Sequence, residues 1–336
     1  MKARLLAALM LSAAVVLPAG AAESVYLDVS RPDVVAFIDD MVQQHEFSRS
    51  ELSQTLSKAQ VRQSIIDKIS TPAEKKLTWG EYRKIFITPE RIGAGASFWR
   101  ENRAMLDRIH KETGVPVEMM VGIIGVETYF GRITGKDRVL DALVTLAFDY
   151  PRRAKFFRSE LEHFLVLTRE EGLDAAEPLG SYAGAMGRPQ FMPSSFRAYA
   201  VDATGDGKRD IWNDWADVAG SVANYFVEHG WQSGEEVAAR ATLGTAWEGP
   251  APEPKNILSA GETVGSLSEK GVMFATELPV DSDGELLAYE GESGPEYWVG
   301  FHNFFVITRY NRSTMYALAA WQLGREIASE VETDES

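Results

Sequence analysis

The sequence predicts an α+β protein that consists mainly of α-helices. Apolar residues recur at helical spacing in most segments between residues 33 and 229, which indicates amphipathic helices. After Gly230, glycine and proline become frequent, and short alternating runs such as Val272–Ala275 predict a small β-rich module. Helical spacing returns from Ser313 to Leu323. The 336 residues are enough for one large domain or roughly two to three small ones.

The first 22 residues have the pattern of a secretory signal peptide. Lys2 and Arg4 precede an apolar run from Leu5 to Leu17, and small residues follow as far as Ala22. The run is shorter than the ~20 residues of a membrane-spanning helix, and the chain has no cysteine that could carry a lipid. We therefore expect a soluble protein exported to the periplasm, without a membrane span or lipid anchor. A buried N-terminal helix and a membrane anchor are the alternatives.

The next part of the chain is predicted to be helical from Asp33 to about His110. One apolar stripe contains Val34, Val35, Phe37, Ile38, Met41 and Val42. A second stripe contains Val61, Ile65, Ile66 and Ile69. Gly93 and Gly95 predict a break, after which another helix runs from Phe98 to His110.

The middle of the chain is also predicted to be helical. Pro116 is expected at the first position of a helix with Glu118 in its first turn. Further helices are predicted over residues 153–171, 194–201 and 216–229.

The C-terminal part combines the β-rich module with a last helix. Within the module, Asp281–Gly284 predicts a turn, and Tyr297–Ile307 is predicted to be extended. The last helix is expected to end at Gly324, and the acidic tail after Glu326 is expected to fray.

The charge balance limits the possible partners. The formal net charge is −15 and the pI is near 4.9. Nucleic acid is not expected as a partner, because phosphate binding requires a basic surface. The five histidines lack metal-ligand spacing, so we do not expect a zinc site.

Glu127 is the candidate catalytic residue. It shares one helix face with Met120, Ile123, Ile124 and Phe130, which stand three or four residues apart. Apolar surroundings and the negative end of the helix dipole both disfavour the ionised form, so we expect a raised pKa for Glu127. A carboxylic acid that stays protonated near neutral pH can act as a general acid. The pattern alone favours the alternative, a glutamate at the core edge paired with a lysine or arginine.

Four stretches in the same order closely resemble the membrane-bound lytic murein transglycosylase B family. They are GVPVEMMVGIIGVETYFG, LDALVTLAFDYPRRAKFF, GSYAGAMGRPQFMPSSFRAYAVD and ITRYNRSTMYALAAWQLG. The resemblance implies a lysozyme-like core with a helical domain and a small β-rich domain. We assign residues 23–110 and about 296–336 to the helical domain, 111–234 to the catalytic core, and 235–295 to the β-rich domain.

The resemblance also implies the reaction. Members of this family cleave the MurNAc–GlcNAc β-1,4 bond of peptidoglycan and leave 1,6-anhydro-MurNAc ends. Glu127 would act first as acid and then as base toward the C6 hydroxyl of the sugar. Ordinary glycosidases use a second carboxylate, for which Asp137, Asp141 and Asp149 are the nearby candidates. The resemblance implies that no second carboxylate is needed.

Further residues are assigned to substrate binding by the resemblance. They are Ser181, Gln190, Phe191, Arg152, Arg153, Tyr310, Asn311, Tyr316 and Tyr82. Without it, Ser181 is a loop hydroxyl that caps a helix, the two arginines form a solvated basic turn, and Tyr82 and Tyr316 pack in the core. Arg188-Pro189, just before Gln190, departs from the family pattern.

Residues 202–210, DATGDGKRD, follow the first half of an EF-hand calcium loop. Ligands are predicted from Asp202, Thr204, Asp206, the backbone carbonyl of Lys208, and Asp210. Asn213 stands where the template has glutamate, and the resemblance implies a later acidic ligand, Asp214 or Asp217. We expect a structural Ca²⁺ and no cofactor for the chemistry. An Asx turn without metal and a surface acidic loop are the alternatives.

Two other functions are weighed against the transglycosylase. One is a hydrolytic muramidase on the same scaffold, and the other is a non-catalytic peptidoglycan-binding protein. The expected partners are peptidoglycan glycan strands, with cell-wall synthesis proteins or amidases as further candidates. We expect a monomer.

Overall fold

Helices form the body of the protein, and a five-stranded antiparallel sheet packs at one side. The computed structural model describes residues 25–70 and 77–333. The predicted signal peptide, residues 1–22, lies outside the described residues. Within the described ranges, no helix has the length and apolar character needed to cross a membrane. The prediction of a mainly helical α+β fold is confirmed.

The helices before the central core are short. They are α1 (Pro32–His45), α2 (Arg49–Ser57), α3 (Gln63–Ser70), α4 (Trp79–Phe86), α5 (Pro89–Glu101) and α6 (Arg103–Thr113). Thr78 and Glu81 form a capping box at the start of α4. The strands β1 (Val25–Tyr26) and β2 (Gln60–Val61) pair nearby.

The predicted break at Gly93 and Gly95 is wrong. Both glycines lie inside α5, and the chain breaks at Asn102, whose side chain donates to the carbonyl of Phe98 at 2.8 Å. Gly95 serves packing instead, since a Cβ there would lie 2.4 Å from Cδ1 of Ile327.

The central helices follow the predicted periodicity. They are α7 (Val117–Thr128), α8 (Val139–Asp149), α9 (Ala154–Glu170), α10 (Pro193–Tyr199) and α11 (Trp215–Glu228). Pro116 is the N-cap of α7 rather than its first residue, a difference within the usual uncertainty of helix ends. The short strands β3 (Asp137–Arg138) and β4 (Leu179–Gly180) pair beside this core.

The C-terminal part supplies the sheet and the longest described helix. The sheet has the order β6-β8-β9-β5-β7. Its strands are β5 (Ala238–Leu243), β6 (Glu262–Thr263), β7 (Val272–Phe274), β8 (Asp283–Gly291) and β9 (Gly294–Phe301). The helices are α12 (Val264–Glu269), α13 (His302–Tyr310) and α14 (Thr314–Thr333). The domain boundaries drawn from the sequence stay a prediction.

Two sequence predictions fail in this part. The segment 297–307 is extended only as far as Phe301 and then becomes α13, because a short continuous apolar run fits a buried helix as well as a strand. Gly324 does not end the last helix, and the predicted fraying after Glu326 is wrong for residues 327–333, since α14 continues to Thr333 with Ile327 and Val331 buried.

The α7 and α14 helices approach each other with their backbones in contact. A Cβ on Gly122 would lie 2.3 Å from the carbonyl oxygen of Ala320, and a Cβ on Gly324 would lie 2.1 Å from that of Glu118. These glycines therefore set the separation of the two helices that carry the candidate site.

Candidate active site

Glu127 lies in the last turn of α7, at the edge of the buried core. Ile123 and Ile124 on the same helix are fully buried, whereas Glu127 is partly exposed. The helix ends directly after it, because Tyr129, Phe130 and Gly131 have φ values of 50°, 56° and 79°. Left-handed non-glycine residues are uncommon and cost about 1–3 kcal/mol each. Such strain, next to a carboxylate at a surface, is typical of a functional site.

Tyr316 on α14 holds the carboxyl group of Glu127. Its hydroxyl donates to Oε1 of Glu127 at 2.5 Å, although Tyr316 is only 3% exposed. Burial and the neighbouring charge of Glu127 raise the pKa of Tyr316 well above its ordinary value, so the phenol stays a hydrogen-bond donor. A smaller contribution to this raised pKa comes from Tyr82 on α4.

Two hydroxyl groups hold the loop before α10, one from the end of α7 and one from the end of α13. Thr128 Oγ1 donates to the carbonyl of Arg188 at 3.0 Å, and Tyr310 Oη donates to the carbonyl of Pro189 at 2.7 Å. Gln190 follows with φ 53°, and its Nε2 donates to the carbonyls of Gly187 and Thr134 at 2.8 and 3.2 Å. The loop conformation, and with it the Gln190 amide, is thereby fixed.

Aromatic rings pack against the core side of the Gln190 loop. Phe191 is 2% exposed and packs against Tyr310 and Tyr225, with ring centroids 5.8 and 5.7 Å apart. The predicted role of Phe191 in lining the cleft is therefore corrected, because its ring lies in the core. Burial, and then the charge of Glu127, raise the pKa of Tyr310 well above its ordinary value.

Ser181 is held in a tight loop after β4. Its Oγ accepts the backbone N–H groups of Ala183 and Ala185 at 3.2 and 3.1 Å. A serine hydroxyl can accept two hydrogen bonds and donate one. Because the two backbone N–H groups use both acceptor positions of Ser181, its hydroxyl can bind a ligand as a donor. Met186 forms isolated β-bridges to Gly180 and to Phe191, which connect this loop to the Gln190 loop.

Three of the predicted substrate-binding residues lie at the surface. Arg152 and Arg153 are exposed in the short 3₁₀ turn between α8 and α9, and the Arg153 guanidinium stacks 4.1 Å from the ring of Phe156. Asn311 is exposed where α13 ends. Their contact with a substrate stays a prediction.

The three candidates for a second carboxylate are engaged in ion pairs. Asp137 is paired with Arg62 and Lys68, Asp141 with Arg138, and Asp149 with Arg31. Asp141 is also buried and accepts the backbone N–H of Gln60 at 2.8 Å. These carboxylates have structural partners that account for their positions.

Sequence reasoning missed Thr128, although it stands next to Glu127. Its side chain is fully buried and also accepts the N–H of Gly131 at 3.2 Å, so it joins the left-handed turn to the Gln190 loop. A hydroxyl in the last turn of a buried helix was the available signal. Arg188, which departs from the family pattern, lies with its guanidinium 3.8 Å from the ring of Trp215 and donates to the carbonyl of Asn213. These contacts anchor the loop before Gln190.

The predicted calcium loop folds on its own hydrogen bonds. Asp202 accepts the N–H groups of Gly205, Asp206 and Gly207, and the Gly207 contact is the largest cause of the lowered pKa of Asp202. Asp210 accepts the N–H groups of Trp212 and Asn213. The segment therefore contains Asx turns of the kind expected without metal.

The predicted late ligands have other roles. Asp214 caps α11 by accepting the N–H of Ala216 at 2.7 Å. Asp217 is 1% exposed, and its two oxygens accept the N–H groups of Ala203 and Asp210, so it braces the loop. In residues 25–70 and 77–333, no three acidic, histidine or cysteine side chains come together in a way that could hold a metal ion. The predicted ligand set, Asp202, Thr204, Asp206, Lys208, Asp210 and Asp217, is thus not assembled in this geometry.

Comparisons with known proteins connect this geometry to an enzyme family. The family model described as the transglycosylase SLT domain matches residues 30–325. Membrane-bound lytic murein transglycosylase B of Escherichia coli K12 is 43% identical over 308 residues, which cover 89% of this chain and 83% of that protein.

Solved structures of lytic transglycosylases are also similar to this chain in sequence and fold. Soluble lytic transglycosylase SltB1 of Pseudomonas aeruginosa is 48% identical, with a TM-score of 0.81 and coverage of 89% of this chain and 99% of the other. The Escherichia coli lytic transglycosylase Slt35 in complex with calcium is 42% identical, with a TM-score of 0.82 and coverage of 92% and 97%.

Proposed function

The chain belongs to the transglycosylase SLT domain family, and on this premise we propose that it cleaves the MurNAc–GlcNAc β-1,4 bond of peptidoglycan with Glu127 as its single acid/base. The observation that carries the assignment of Glu127 is its hydrogen bond from Tyr316 at the strained end of α7. The buried Tyr316 phenol engages Oε1 of Glu127 and so fixes the direction of the carboxyl group.

Glu127 acts twice in the reaction. As an acid, it protonates the glycosidic oxygen, and the bond between that oxygen and C1 of MurNAc breaks. As a base, the resulting carboxylate removes the proton from the C6 hydroxyl of the same sugar, whose oxygen forms the new bond to C1. The proton returns to Glu127, no water is consumed, and the product is the 1,6-anhydro sugar. The attack is intramolecular, so it benefits from high effective molarity.

Tyr316 is the positioning residue for both steps. Its hydrogen bond fixes the rotamer of Glu127, and a neutral donor stabilises the carboxylate that forms after the first proton transfer. The ion pairs of Asp137, Asp141 and Asp149 support a mechanism without a second carboxylate, because each already has a cationic partner.

The remaining site residues are proposed to bind the substrate. Ser181 offers a hydroxyl hydrogen to an N-acetyl carbonyl, and the fixed Gln190 amide and Tyr310 form a wall of the sugar cleft. Arg152 and Arg153 are exposed guanidinium groups that suit carboxylates of the peptide stem. Tyr82 and Phe191 support this wall from the core, and Asn311 extends it at the surface.

The decisive experiment is mass analysis of muropeptides after digestion of purified sacculi. We expect products one water lighter than hydrolysis products, and we expect Glu127→Gln to keep sacculus binding and lose turnover. Products with reducing ends would instead establish a hydrolytic muramidase. Unchanged digestion by Glu127→Gln would remove Glu127 from the mechanism.

We also propose a structural Ca²⁺ in the loop of residues 202–210. The EF-hand spacing, the exposed anionic Asp202, and the calcium complex of Slt35 support this proposal, which requires the loop to rearrange around the ion. Calcium should raise the melting temperature, and Asp202→Ala with Asp206→Ala should remove that rise. An equal melting temperature with calcium and with a chelator contradicts the proposal.

Export to the periplasm is proposed from the pattern of residues 1–22. N-terminal sequencing of the protein from fractionated cells should find a chain that begins after Ala21 or Ala22. Docking of cell-wall synthesis proteins or amidases, and the monomeric state, stay predictions.

A further inference from the structure

A second concave surface lies between the helical body and the sheet. It has a volume of about 730 Å³ and is formed by α4, the C-terminal half of α14, the strands β5 and β9, and the hairpin that joins β8 to β9. We call it the tryptophan groove, after Trp79, Trp298 and Trp321 in its wall.

The tryptophan groove lies on another side of α14 from Glu127. Trp321 follows Tyr316 by five residues, which corresponds to a rise of about 7.5 Å and a rotation of roughly 140° around the helix. Leu323, seven residues after Tyr316 and on nearly the same side as that residue, faces α7 at Gly125. The helix therefore separates the groove from the catalytic carboxylate.

The wall of the groove has the chemistry of a carbohydrate-binding surface. Trp298 and Trp321 meet edge to face, with ring centroids 5.8 Å apart and an interplanar angle of 88°. The rings of Trp298 and Trp321 are half-buried, so part of each is open at the wall of the groove. Aromatic rings of this kind suit sugars, which present both apolar ring faces and hydroxyl groups.

The charges of the groove leave one cation available. Lys84 is paired with Glu292, Arg240 with Glu296, and Arg83 with Glu326. Arg325 is exposed, stacks 5.6 Å from the ring of Trp321, and forms no ion pair with any residue in the described ranges. A guanidinium beside an aromatic face suits a ligand that joins a sugar to a carboxylate.

We propose that the tryptophan groove is a second, non-catalytic binding site for peptidoglycan, in which sugars contact Trp321 and Trp298 and a carboxylate of the lactyl-peptide stem pairs with Arg325. This inference rests on the proposed function for the identity of its ligand. A second contact with the same insoluble polymer keeps the catalytic cleft close to new bonds, because linked sites bind with a high effective concentration.

The test compares binding to sacculi in the inactive Glu127→Gln background. Trp321→Ala and Arg325→Glu should each weaken co-sedimentation with purified sacculi about tenfold, as expected for the aromatic and arginine anchors of an interface. Lys111→Glu, which makes the same charge change on an exposed residue of α6, should bind like the parent. Added salt should weaken the parent more than Arg325→Glu.

The same changes are then made with Glu127 intact. Trp321→Ala and Arg325→Glu should retain the parental rate on a soluble tetrasaccharide, which is too short to occupy both sites, and should lose rate on sacculi. Undiminished co-sedimentation of both variants overturns the groove inference even if anhydro products are found. Hydrolytic products from the parent overturn the proposed reaction but leave the sedimentation result valid. Should Trp321→Ala lower the melting temperature strongly, the exposed Arg325→Glu decides.

Discussion

Replacing Tyr316 with phenylalanine removes the hydroxyl that donates to Oε1 of Glu127. The ring stays in its buried position on α14, where only 3% of the residue is exposed, so the packing of the helix is retained. A hydrogen bond to a charged group contributes about 1.5–3 kcal/mol. If that contribution is made in the transition state, the rate falls by about 10- to 150-fold, since each 1.36 kcal/mol is tenfold.

The assay is the initial rate of anhydro-muropeptide release from a soluble glycan by Tyr316→Phe. We expect the loss to fall on kcat, with KM nearly unchanged, because the hydroxyl orients the acid and does not contact the sugar. Tyr289→Phe is the matched control, since it removes a buried phenol hydroxyl that donates to the carbonyl of Thr314. If Tyr316→Phe retains the parental kcat, or loses no more than Tyr289→Phe, the contact with Glu127 has no part in the chemistry.

Two further predictions concern stability. Gly122→Ala should lower the free energy of unfolding by about 1–3 kcal/mol or more and should lower kcat, because its Cβ would meet the carbonyl oxygen of Ala320 at 2.3 Å and push α14 from α7. Gly93→Ala is the control, because a Cβ at that helical position has no atom within 4 Å, and it should raise the free energy of unfolding by about 0.5–1 kcal/mol in chemical denaturation. Equal effects of the two changes would contradict the packing argument. Burial raises the pKa of four tyrosines, namely Tyr225, Tyr289, Tyr310 and Tyr316. Their stabilisation is complete below the unfolded pKa of about 10 and is lost as the pH rises above it, so in an alkaline titration their tyrosinate absorbance should appear together with loss of far-UV circular dichroism. Complete tyrosine ionisation in a folded protein would contradict this assignment of burial.

Most helices follow from local patterns, and two of the errors share one cause. The helices α9 and α11 match their predicted ranges to within one residue, because each has one apolar face toward the core. Gly95 and Gly324 were interpreted as helix breakers, whereas each is a contact point for a residue more than 200 positions away in sequence. The sequence around each glycine does not contain its distant contact residue, so the low helix propensity of glycine is the only local signal.

The site shows the same division between local pattern and tertiary contact. The helical pattern places Glu127 at the core edge, and the resemblance predicts its catalytic role and the site positions of Tyr316 and Gln190, which the structure connects to the end of α7. The resemblance predicts Phe191 in the cleft, but it does not reveal that the ring packs against Tyr310 and Tyr225 in the core. Loop spacing predicts the ligands from Asp202 to Asp210 and the resemblance implies Asp217, but neither reveals that Asp217 is buried against two backbone N–H groups.

The position of the catalytic carboxylate is a consequence of how α14 packs. Tyr316 belongs to α14, and the separation of α14 from α7 is set by backbone contacts at Gly122 and Gly324, where no side chain can adjust. The same helix contributes Trp321 and Arg325 to the tryptophan groove on its other side. A ligand that contacts both Trp321 and Arg325 therefore binds to the same helix that orients Glu127. Because the contacts with α7 are rigid, we expect the groove to alter how much enzyme stays on the sacculus and not the rate constant of the chemical step.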